Sequence, residues 1–359
     1  MKINKEIKLL KNLVEIPSPS GYEKKSSEFI RKELLQYLPK TKIEIDFHNN
    51  VIATIIGRDK KRTIVIDAHQ DILGFLINNV DKEGYISLVS IGGHDISLLR
   101  GRKVLIITSK NGILKGVIGS KPIHLIENET DEIPNNTTDV TLDIGIRRRK
   151  KVLSYISIGD PVVIKPEFDK LIEDYYTGSG FDDKAGCFML IEIIKNIVKQ
   201  KRKPACNLKF VFSVQEEIGC KGAKEIAYRY KPDLFVGVDV TFSTDQPDVD
   251  ERVTGRCILG EGIGIYKGIN IHQQSVALLN SIAKNSKTKI QYLTTAGAGG
   301  TNAKSVANMC GGLKIVDFGI PLRNMHTSVE IINMKDIKEG IKLLTKFLID
   351  KKLSKIIKK

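Results

Sequence analysis

The spacing of apolar residues changes along the chain, and the changes predict an α/β fold. In residues 1–16 and 23–38 apolar positions recur every three or four residues, which is typical of amphipathic helices. The run TIVIDAHQD (63–71) is rich in β-branched residues and ends on polar residues, as in a strand buried on both faces of a sheet. From 185 to 351, helix-length segments alternate with buried-type strands. We therefore expect a central sheet covered by helices.

A different pattern occupies the region from about 75 to 164. Short alternating runs separated by glycine, such as GYISLVSIGG and RKVLIITSKNGILKGVIG, predict a small β-barrel-like unit. We therefore divide the chain into one α/β domain formed by residues 1–74 and 165–359, and an inserted β-rich domain at 75–164 that follows the third strand.

Composition narrows the possible environments. No window approaches the roughly 18 consecutive apolar residues of a membrane span, and the lysine-rich N-terminal helix does not resemble a signal peptide. The five cysteines are an odd number and never form a CxxC pair, which favours a reduced, cytoplasmic location. We expect no membrane partner.

The chain has 57 basic and 42 acidic side chains, a net charge of +15. Such an excess would suit a nucleic-acid partner, but its densest clusters, at 147–151 and 199–203, contain no interleaved aromatic residues. We interpret the charge as a solvated surface and expect no nucleic acid.

Two candidate sites lie at the edges of predicted elements. His69 and Asp71 end the strand TIVIDAHQD, where open α/β sheets bind their ligands. Asp182 and Asp183 precede a predicted helix, after a glycine-rich turn. Each pair also has an ordinary structural interpretation, since strand ends carry hydrogen-bonded histidines and helix N-termini favour aspartate.

Three further segments strengthen the case for a site. Glu216 and Glu217 end an apolar strand as adjacent carboxylates, which require cations or shifted pKa values when buried. Asp239 lies within the buried run LFVGVDV, and His326 follows a strand. A single histidine is usually structural, but all these residues end a strand or begin a helix, so they can converge on one edge of the sheet.

The order of the motifs resembles that of a known family. The strings are AHQDILGFLI, IGGHDISLLRGRKVLI, GVIGSKPIHL, TLDIG, GSGFDDKAG, VQEEIGCKGAK, VDV, LGEGIGI, AGAGGTNA and GIPLRNMHTSVEI. Together they are similar to the dinuclear metallo-aminopeptidases of tetrahedral particles, the glutamyl and deblocking aminopeptidases, some of which are labelled endoglucanases. The resemblance implies a zinc-exopeptidase-like three-layer α/β sandwich with a central mixed sheet and an inserted β-barrel dimerisation domain. It also implies peptide substrates and self-association into dimers and dodecamers.

The resemblance also implies a role for each candidate residue. His69 and Asp239 would hold one divalent ion, Glu217 and His326 a second, and Asp182 would bridge the two. Zinc and cobalt suit these ligands equally. Glu216 would be the general base and Asp71 would orient His69. The substrate pocket would include Gly299, Gly300 and Arg323. The insertion contains two histidines, His94 and His124, and both are interpreted as structural.

Departures and alternatives remain open at the level of sequence. Ile72 and Asn302 stand where relatives commonly carry glutamate and aspartate, and Leu313-Lys314 replaces a more usual Val-Pro. These changes bear on substrate preference. A related carboxypeptidase, a deacylase or a glucanase is the alternative among hydrolases. An idle scaffold or nucleic-acid-binding protein is the alternative from another class.

Overall fold

A computed structural model describes residues 5–125, 133–296 and 300–358. Within these ranges the strands, in chain order, are β1 (Ile43–Ile45), β2 (Val51–Ile55), β3 (Asp59–His69), β4 (Gly74–Val80), β5 (Ile86–Ile91), β6 (Lys103–Thr108), β7 (Gly112–Ile118), β8 (Leu142–Asp143), β9 (Pro161–Ile164), β10 (Phe168–Lys170), β11 (Tyr175–Gly178), β12 (Cys206–Ser213), β13 (Leu234–Phe242), β14 (Ile263–Gly268), β15 (Ile290–Thr295), β16 (Ile315–Leu322) and β17 (Glu330–Asn333).

The helices of the same ranges are α1 (Lys5–Val14), α2 (Lys24–Leu34), α3 (Arg149–Val152), α4 (Phe181–Lys199), α5 (Lys221–Tyr230), α6 (Glu251–Thr254), α7 (Gln273–Ser286), α8 (Asn302–Val306), α9 (Met334–Ile349) and α10 (Leu353–Ile356). We expected the second helix to extend to residue 38. It ends at Leu34 because the following residues tighten into turns such as Tyr37 N–H to Leu34 O, and Pro39 then disfavours helical backbone at Leu38.

The central sheet is mixed and confirms the expected α/β class. Its strands lie in the order β1-β2-β12-β3-β13-β16-β14-β15. The four strands β12, β3, β13 and β16 run parallel to their neighbours, whereas β2 and β14 join them antiparallel. Helix α4 packs on β3 and β13 beside α9, which contacts β14 and β16, while α8 contacts β3, β13 and β16 and packs against α5. Almost all central side chains of these parallel strands are buried, as their predominantly apolar and β-branched sequence predicted.

Gly237 in the middle of β13 shows why a small residue is needed there. It lies beside Asp67 of β3 and Asp317 of β16 in the strand register. A Cβ at this position would come within 2.7 Å of both Asp317 Oδ1 and Ala303 Cβ. Glycine therefore leaves room for α8 to approach the sheet and for a buried aspartate on the next strand.

The β-rich segment forms a closed barrel with the strand order β4-β5-β8-β7-β6-β9. Its own apolar core includes Phe75, Ile106 and Val162 and is separate from the core of the central sheet. The barrel strands thus run from Gly74 to Ile164. The domain limits at 74/75 and 164/165, and the role of this unit in dimerisation, stay predictions. Among the described residues no helix is both long and apolar enough to cross a membrane.

Candidate metal centre

The parallel strands bring the predicted ligands to one edge of the sheet. His69 is the last residue of β3, Asp239 lies near the end of β13, and Glu217 follows β12. His326 follows β16, and Asp182 begins α4 with a non-helical backbone. Since β12, β3, β13 and β16 are parallel, their carboxyl ends meet at the same edge, which is the usual binding edge of such sheets.

The five side chains form two overlapping groups. In one, His69 Nε2 lies 2.9 Å from Asp182 Oδ1 and 3.9 Å from Asp239 Oδ1. In the other, His326 Nε2 lies 3.4 Å from Asp182 Oδ2 and 3.7 Å from Glu217 Oε2. Within each group the potential ligand atoms lie within 4.8 Å of one another. Asp182 belongs to both groups and uses a different oxygen for each.

The electrostatics of these groups fit a divalent metal. Burial, reinforced by the nearby Asp182 charge, raises the pKa of Glu217 to about 10, and burial raises the pKa of Asp239 well above its usual range. Burial also disfavours ionised Asp182, but hydrogen bonds with His326 and His69 bring its pKa below the ordinary value.

Within the described residues, no lysine or arginine forms an ion pair with these carboxylates. Buried carboxylates in contact with imidazoles lack a fixed positive charge, and divalent cations with nitrogen and oxygen preference would supply it.

Glu216 lies beside the two groups without joining either. Its Oε1 accepts a hydrogen bond of 3.3 Å from the Cys220 thiol. Burial and the neighbouring Asp182 raise its pKa, although the charge of His69 opposes the rise. Glu216 lines the same cleft as His69 and Asp239. A carboxylate with a raised pKa beside a metal-binding cluster has the properties of a general base.

Asp71 connects His69 with the Glu216-Glu217 segment. Its carboxylate accepts hydrogen bonds from Ser20 Oγ at 2.6 Å and from the backbone N–H groups of Glu216 and Glu217 at 3.1 and 3.2 Å. His69 Nδ1 is 3.4 Å from Asp71 Oδ1 and 3.1 Å from the Asp71 carbonyl oxygen. With Nδ1 facing these acceptors, Nε2 is the nitrogen directed at Asp182 and Asp239.

Comparison with known proteins identifies the family of the chain. The model of the M42 glutamyl aminopeptidase family matches residues 49–343. The chain belongs to the M42 glutamyl aminopeptidase family. The M42 chain is 29% identical to the lysyl aminopeptidase of Pyrococcus furiosus, over 93% of its own length and 94% of the relative. As a member of this family it is an aminopeptidase, a peptide hydrolase that binds divalent metal.

Solved structures share this fold over nearly all of the chain. The TET1 peptidase of Pyrococcus horikoshii, which can assemble into a tetrahedron or a large octahedral shell, matches with a TM-score of 0.85 and 30% identity, covering 96% of this chain and 100% of that one. A protein of Thermotoga maritima named endoglucanase matches with a TM-score of 0.77 and 26% identity, covering 97% and 99%.

Sequence reasoning missed one residue that organises the M42 site. Glu330, the first residue of β17, is buried, and its carboxylate accepts hydrogen bonds from the backbone N–H groups of Phe181, Asp182 and His326 at 2.7, 3.4 and 3.2 Å. It therefore joins the segment that carries Asp182 to the segment that carries His326. Its position four residues after His326 was the available signal, but a glutamate at the start of a short edge strand usually faces solvent.

Asp183 and Asn302 also support the site from outside the ligand groups. Asp183 accepts hydrogen bonds from His69 N–H at 3.2 Å and Gly186 N–H at 3.0 Å. Asn302 Nδ2 donates to Asp67 Oδ2 at 2.7 Å and to Ser213 Oγ at 3.0 Å. An asparagine at 302 thus supplies a donor to a buried carboxylate, which an ionised aspartate could not do.

The residues predicted for the substrate pocket have different positions. Gly300 lines the cleft of about 510 Å³ that contains Glu216, whereas Gly299 lies outside the described residues. Arg323 forms an ion pair with Asp245 and lines a separate cleft beside Tyr175. Its part in substrate binding stays a prediction.

The two histidines of the barrel segment, His94 and His124, lie outside both ligand groups. The His94 ring stacks on Phe75 with ring centroids 4.0 Å apart, and its Nε2 is 2.8 Å from the Gly74 carbonyl oxygen. His124 is exposed in a short 3-10 turn.

Proposed function

We propose that this M42 aminopeptidase removes N-terminal residues from peptides with two divalent ions, zinc or cobalt. The proposed ligands are His69 and Asp239 for one ion, Glu217 and His326 for the other, and Asp182 for both. The single observation that supports this most strongly is that two ligand groups share Asp182 through different oxygens. Three ligand carboxylates would offset most of the charge of two such ions, which favours a dinuclear over a mononuclear site.

The chain's own side chains would then divide the work of hydrolysis. Bound divalent ions supply Lewis acidity to the water and the scissile carbonyl. Glu216 accepts the proton of the attacking water and returns it to the leaving amine, because its carboxylate faces the same cleft without belonging to a ligand group. Asp71 keeps His69 oriented and holds the Glu216-Glu217 backbone by accepting hydrogen bonds from both of its N–H groups.

The free N-terminal amine of a peptide suits the acidic end of this cleft. A protonated amine is attracted by the Glu216 carboxylate, which lines the cleft and belongs to neither ligand group, whereas an acetylated N-terminus is not. This difference supports an exopeptidase over a deacylase or a carboxypeptidase. A glucanase, the function in the name of the Thermotoga maritima relative, would use two carboxylates that flank a sugar and has no need of His69 and His326.

We further propose that the chain assembles into dimers through its barrel and into dodecamers built from them, in the cytoplasm. The assembly of the Pyrococcus horikoshii TET1 relative supports the first point. All five cysteines are free, which suits a reducing compartment.

A substrate panel tests the proposed function. The purified chain is stripped with a chelator, reloaded with zinc or cobalt, and assayed on aminoacyl nitroanilides, acetylated amino acids, peptides with a blocked N-terminus and a soluble glucan. We expect hydrolysis of the aminoacyl nitroanilides only, lost on chelation and restored by metal. Metal-independent activity, or faster cleavage of a blocked substrate or a glucan, would overturn it.

A further inference from the structure

The turn formed by residues 214–217, just after β12, is held by side chains from other parts of the chain. Its first N–H group donates to Asn50 Oδ1 at 3.0 Å and its second to Glu23 Oε1 at 3.2 Å. The last two donate to the two oxygens of Asp71 at 3.1 and 3.2 Å. All three acceptor side chains are buried. Four consecutive N–H groups beside the proposed metal centre therefore depend on side-chain acceptors.

Glu23 is the acceptor whose position has no other evident purpose. It occupies the N-cap position of α2, yet its side chain does not cap that helix. Glu23 Oε1 instead accepts the N–H groups of Gly21, at 2.7 Å, and of Gln215. Its second oxygen, Oε2, is buried without a hydrogen-bond partner in the described part of the chain, so Oε1 alone makes the connection. Glu23 thus joins the N-terminal segment to the residue immediately before Glu216.

The conformation at Gln215 determines how the chain enters Glu216. Gln215 has a φ of 56°, in the left-handed region that residues other than glycine adopt uncommonly. Its carbonyl accepts the Lys221 N–H at 3.1 Å, and the Glu216 carbonyl accepts the Cys220 N–H at 2.9 Å. The carbonyl side of the 214–217 turn is therefore closed by the start of α5, and its N–H side by Glu23 and the other acceptors.

We infer that Glu23 is a positioning residue for Glu216. By accepting the Gln215 N–H, it holds the 214–217 turn so that the Glu216 carboxylate faces the cleft. The inference rests on the proposed function, because it takes Glu216 to be the general base, which must stay within hydrogen-bond reach of the attacking water. Glu23 neither lines the cleft nor belongs to a ligand group, so it acts through the backbone.

Removal of the acceptor tests this role in the full-length, metal-loaded enzyme. Glu23→Met has a similar size but does not accept the Gln215 N–H as a carboxylate does. We expect kcat on aminoacyl nitroanilides to fall by about 10- to 100-fold, since displacement of a reacting group by about 1 Å can cost about 100-fold. KM and bound metal should stay close to those of the wild type, because Glu23 is outside the cleft lining and both ligand groups. Glu23→Gln keeps an acceptor oxygen and should recover most of the lost kcat.

Asp336→Leu is the matched control for the loss of a buried acceptor. The buried Asp336 carboxylate also accepts two backbone N–H groups, those of Gly260 and Gly262, both at 2.7 Å. It lies outside the cleft lining and both ligand groups. Both variants should lose thermal stability, whereas only Glu23→Met should lose kcat.

A double-mutant cycle shows whether Glu23 acts through Glu216. In an enzyme that already carries Glu216→Gln the general base is absent, so Glu23→Met should cause little further loss of kcat. A residue that supports only the fold would lower kcat by the same factor in both backgrounds, and that result would overturn the inference.

The remaining outcomes separate the inference from the proposed function. Equal losses of kcat in Glu23→Met and Asp336→Leu, no recovery in Glu23→Gln, or a loss that follows the amount of bound metal would show that Glu23 does not position Glu216. If Glu23→Met does not fold, Glu23→Asp replaces it, because its shorter side chain withdraws the acceptor from the Gln215 N–H; unchanged kcat there would equally overturn the inference. Metal-loaded wild type that cleaves no aminoacyl nitroanilide would instead refute the proposed function.

Discussion

Glu216 and Glu217 are adjacent in the sequence, yet their side chains have different surroundings. Glu217 Oε2 lies 3.7 Å from His326 Nε2 and belongs to a ligand group, whereas Glu216 Oε1 contacts the Cys220 thiol at 3.3 Å. Both backbone N–H groups donate to Asp71, which fixes the turn. Burial raises the pKa of both side chains. One residue is thus placed to bind metal and the other to transfer a proton.

Exchange of each carboxylate for an amide should separate these two roles. Glu216→Gln keeps the size of the side chain but removes the proton acceptor, so we expect kcat to fall by roughly 10²- to 10⁴-fold with bound metal nearly unchanged. Glu217→Gln should weaken one metal site, because a neutral amide oxygen is a poorer ligand than a carboxylate. Steady-state kinetics and metal analysis of the two variants check this.

Each variant is the matched control of the other. The assignment of roles would be reversed if Glu216→Gln lost an ion while Glu217→Gln kept both and lost turnover. Unaltered hydrolysis in both variants would exclude these glutamates from the reaction.

Asp317, a buried carboxylate on β16, provides a test of how stability depends on pH. Burial raises its pKa to about 6, against an ordinary value of 3.8, so the native state binds the proton more tightly than the unfolded chain. The contribution of protonated Asp317 to the free energy of unfolding is therefore fully present below about pH 4 and is lost as the pH rises through about 6. In Asp317→Asn this loss is absent. We expect the wild type to lose up to about 1.4 kcal/mol per pH unit more than the variant between pH 4 and 6.

Denaturant unfolding of both proteins at several pH values measures this difference, and the variant serves to cancel all other titrating groups. Parallel stability curves for wild type and Asp317→Asn from pH 4 to 7 would show that Asp317 has no raised pKa.

At the scale of elements, the site depends on four parallel strands that end at one edge. The sequence indicated this arrangement because β3, β12, β13 and β16 are predominantly apolar in their central parts and each ends in or is followed by polar residues. Strand identity and the approximate ligand positions were therefore predictable. Hydrogen bonds between segments distant in the chain were not. Glu330 is one case, because neither periodicity nor spacing shows which backbone groups a carboxylate will reach.

Glu330 links two elements, so its loss should affect metal binding more than folding. In Glu330→Ala the N–H groups of Phe181, Asp182 and His326 lose their acceptor, and the segments that carry two ligands are no longer joined. We expect metal affinity to fall by about 10- to 100-fold, as is typical when a partner outside the ligand set is removed. Competition with a chromogenic chelator measures the affinity.

Glu192→Ala is the control for this variant. Glu192 is also a buried glutamate, but it pairs with Lys195 on α4 at 2.7 Å and contacts no proposed ligand. It should lower thermal stability without lowering metal affinity. Equal losses of affinity in the two variants, or none in Glu330→Ala, would contradict a positioning role for Glu330.

The substrate pocket was less predictable than the ligands. Arg323, three residues before His326, pairs with Asp245 and lines another cleft, so its part in the substrate pocket stays a prediction. Lys304 is distant in the chain from every ligand, yet α8 brings it into the cleft that contains Glu216. Which side of a loop a side chain faces depends on packing that a single sequence does not specify.

At the scale of the whole molecule, the barrel has its own core and leaves apolar side chains on its outer surface. Val117 of β7 is 48% exposed and Ile113 of the same strand is 44% exposed. Apolar residues on an outer barrel face are candidates for subunit contacts. Composition and glycine spacing predicted a β-rich unit, but the sequence pattern alone could not show which outer strands meet a partner.

We expect light scattering to give a particle of twelve chains of 40.0 kDa each, with dimers on dilution. Val117→Asp should shift this distribution toward smaller species, because a charge would have to be buried at an apolar contact. Val253→Asp, at a valine that is 83% exposed outside the barrel, is the control. A monomeric wild type, or identical masses for the two variants and the wild type, would contradict assembly through this face of the barrel.

The most direct test of the dinuclear site is anomalous diffraction from crystals of the zinc-loaded protein, recorded on both sides of the zinc absorption edge. We expect two anomalous peaks per chain, one beside each carboxylate oxygen of Asp182, the first also contacting His69 and Asp239 and the second Glu217 and His326, with Glu216 bound to neither. A single peak, or two peaks away from Asp182, would contradict it.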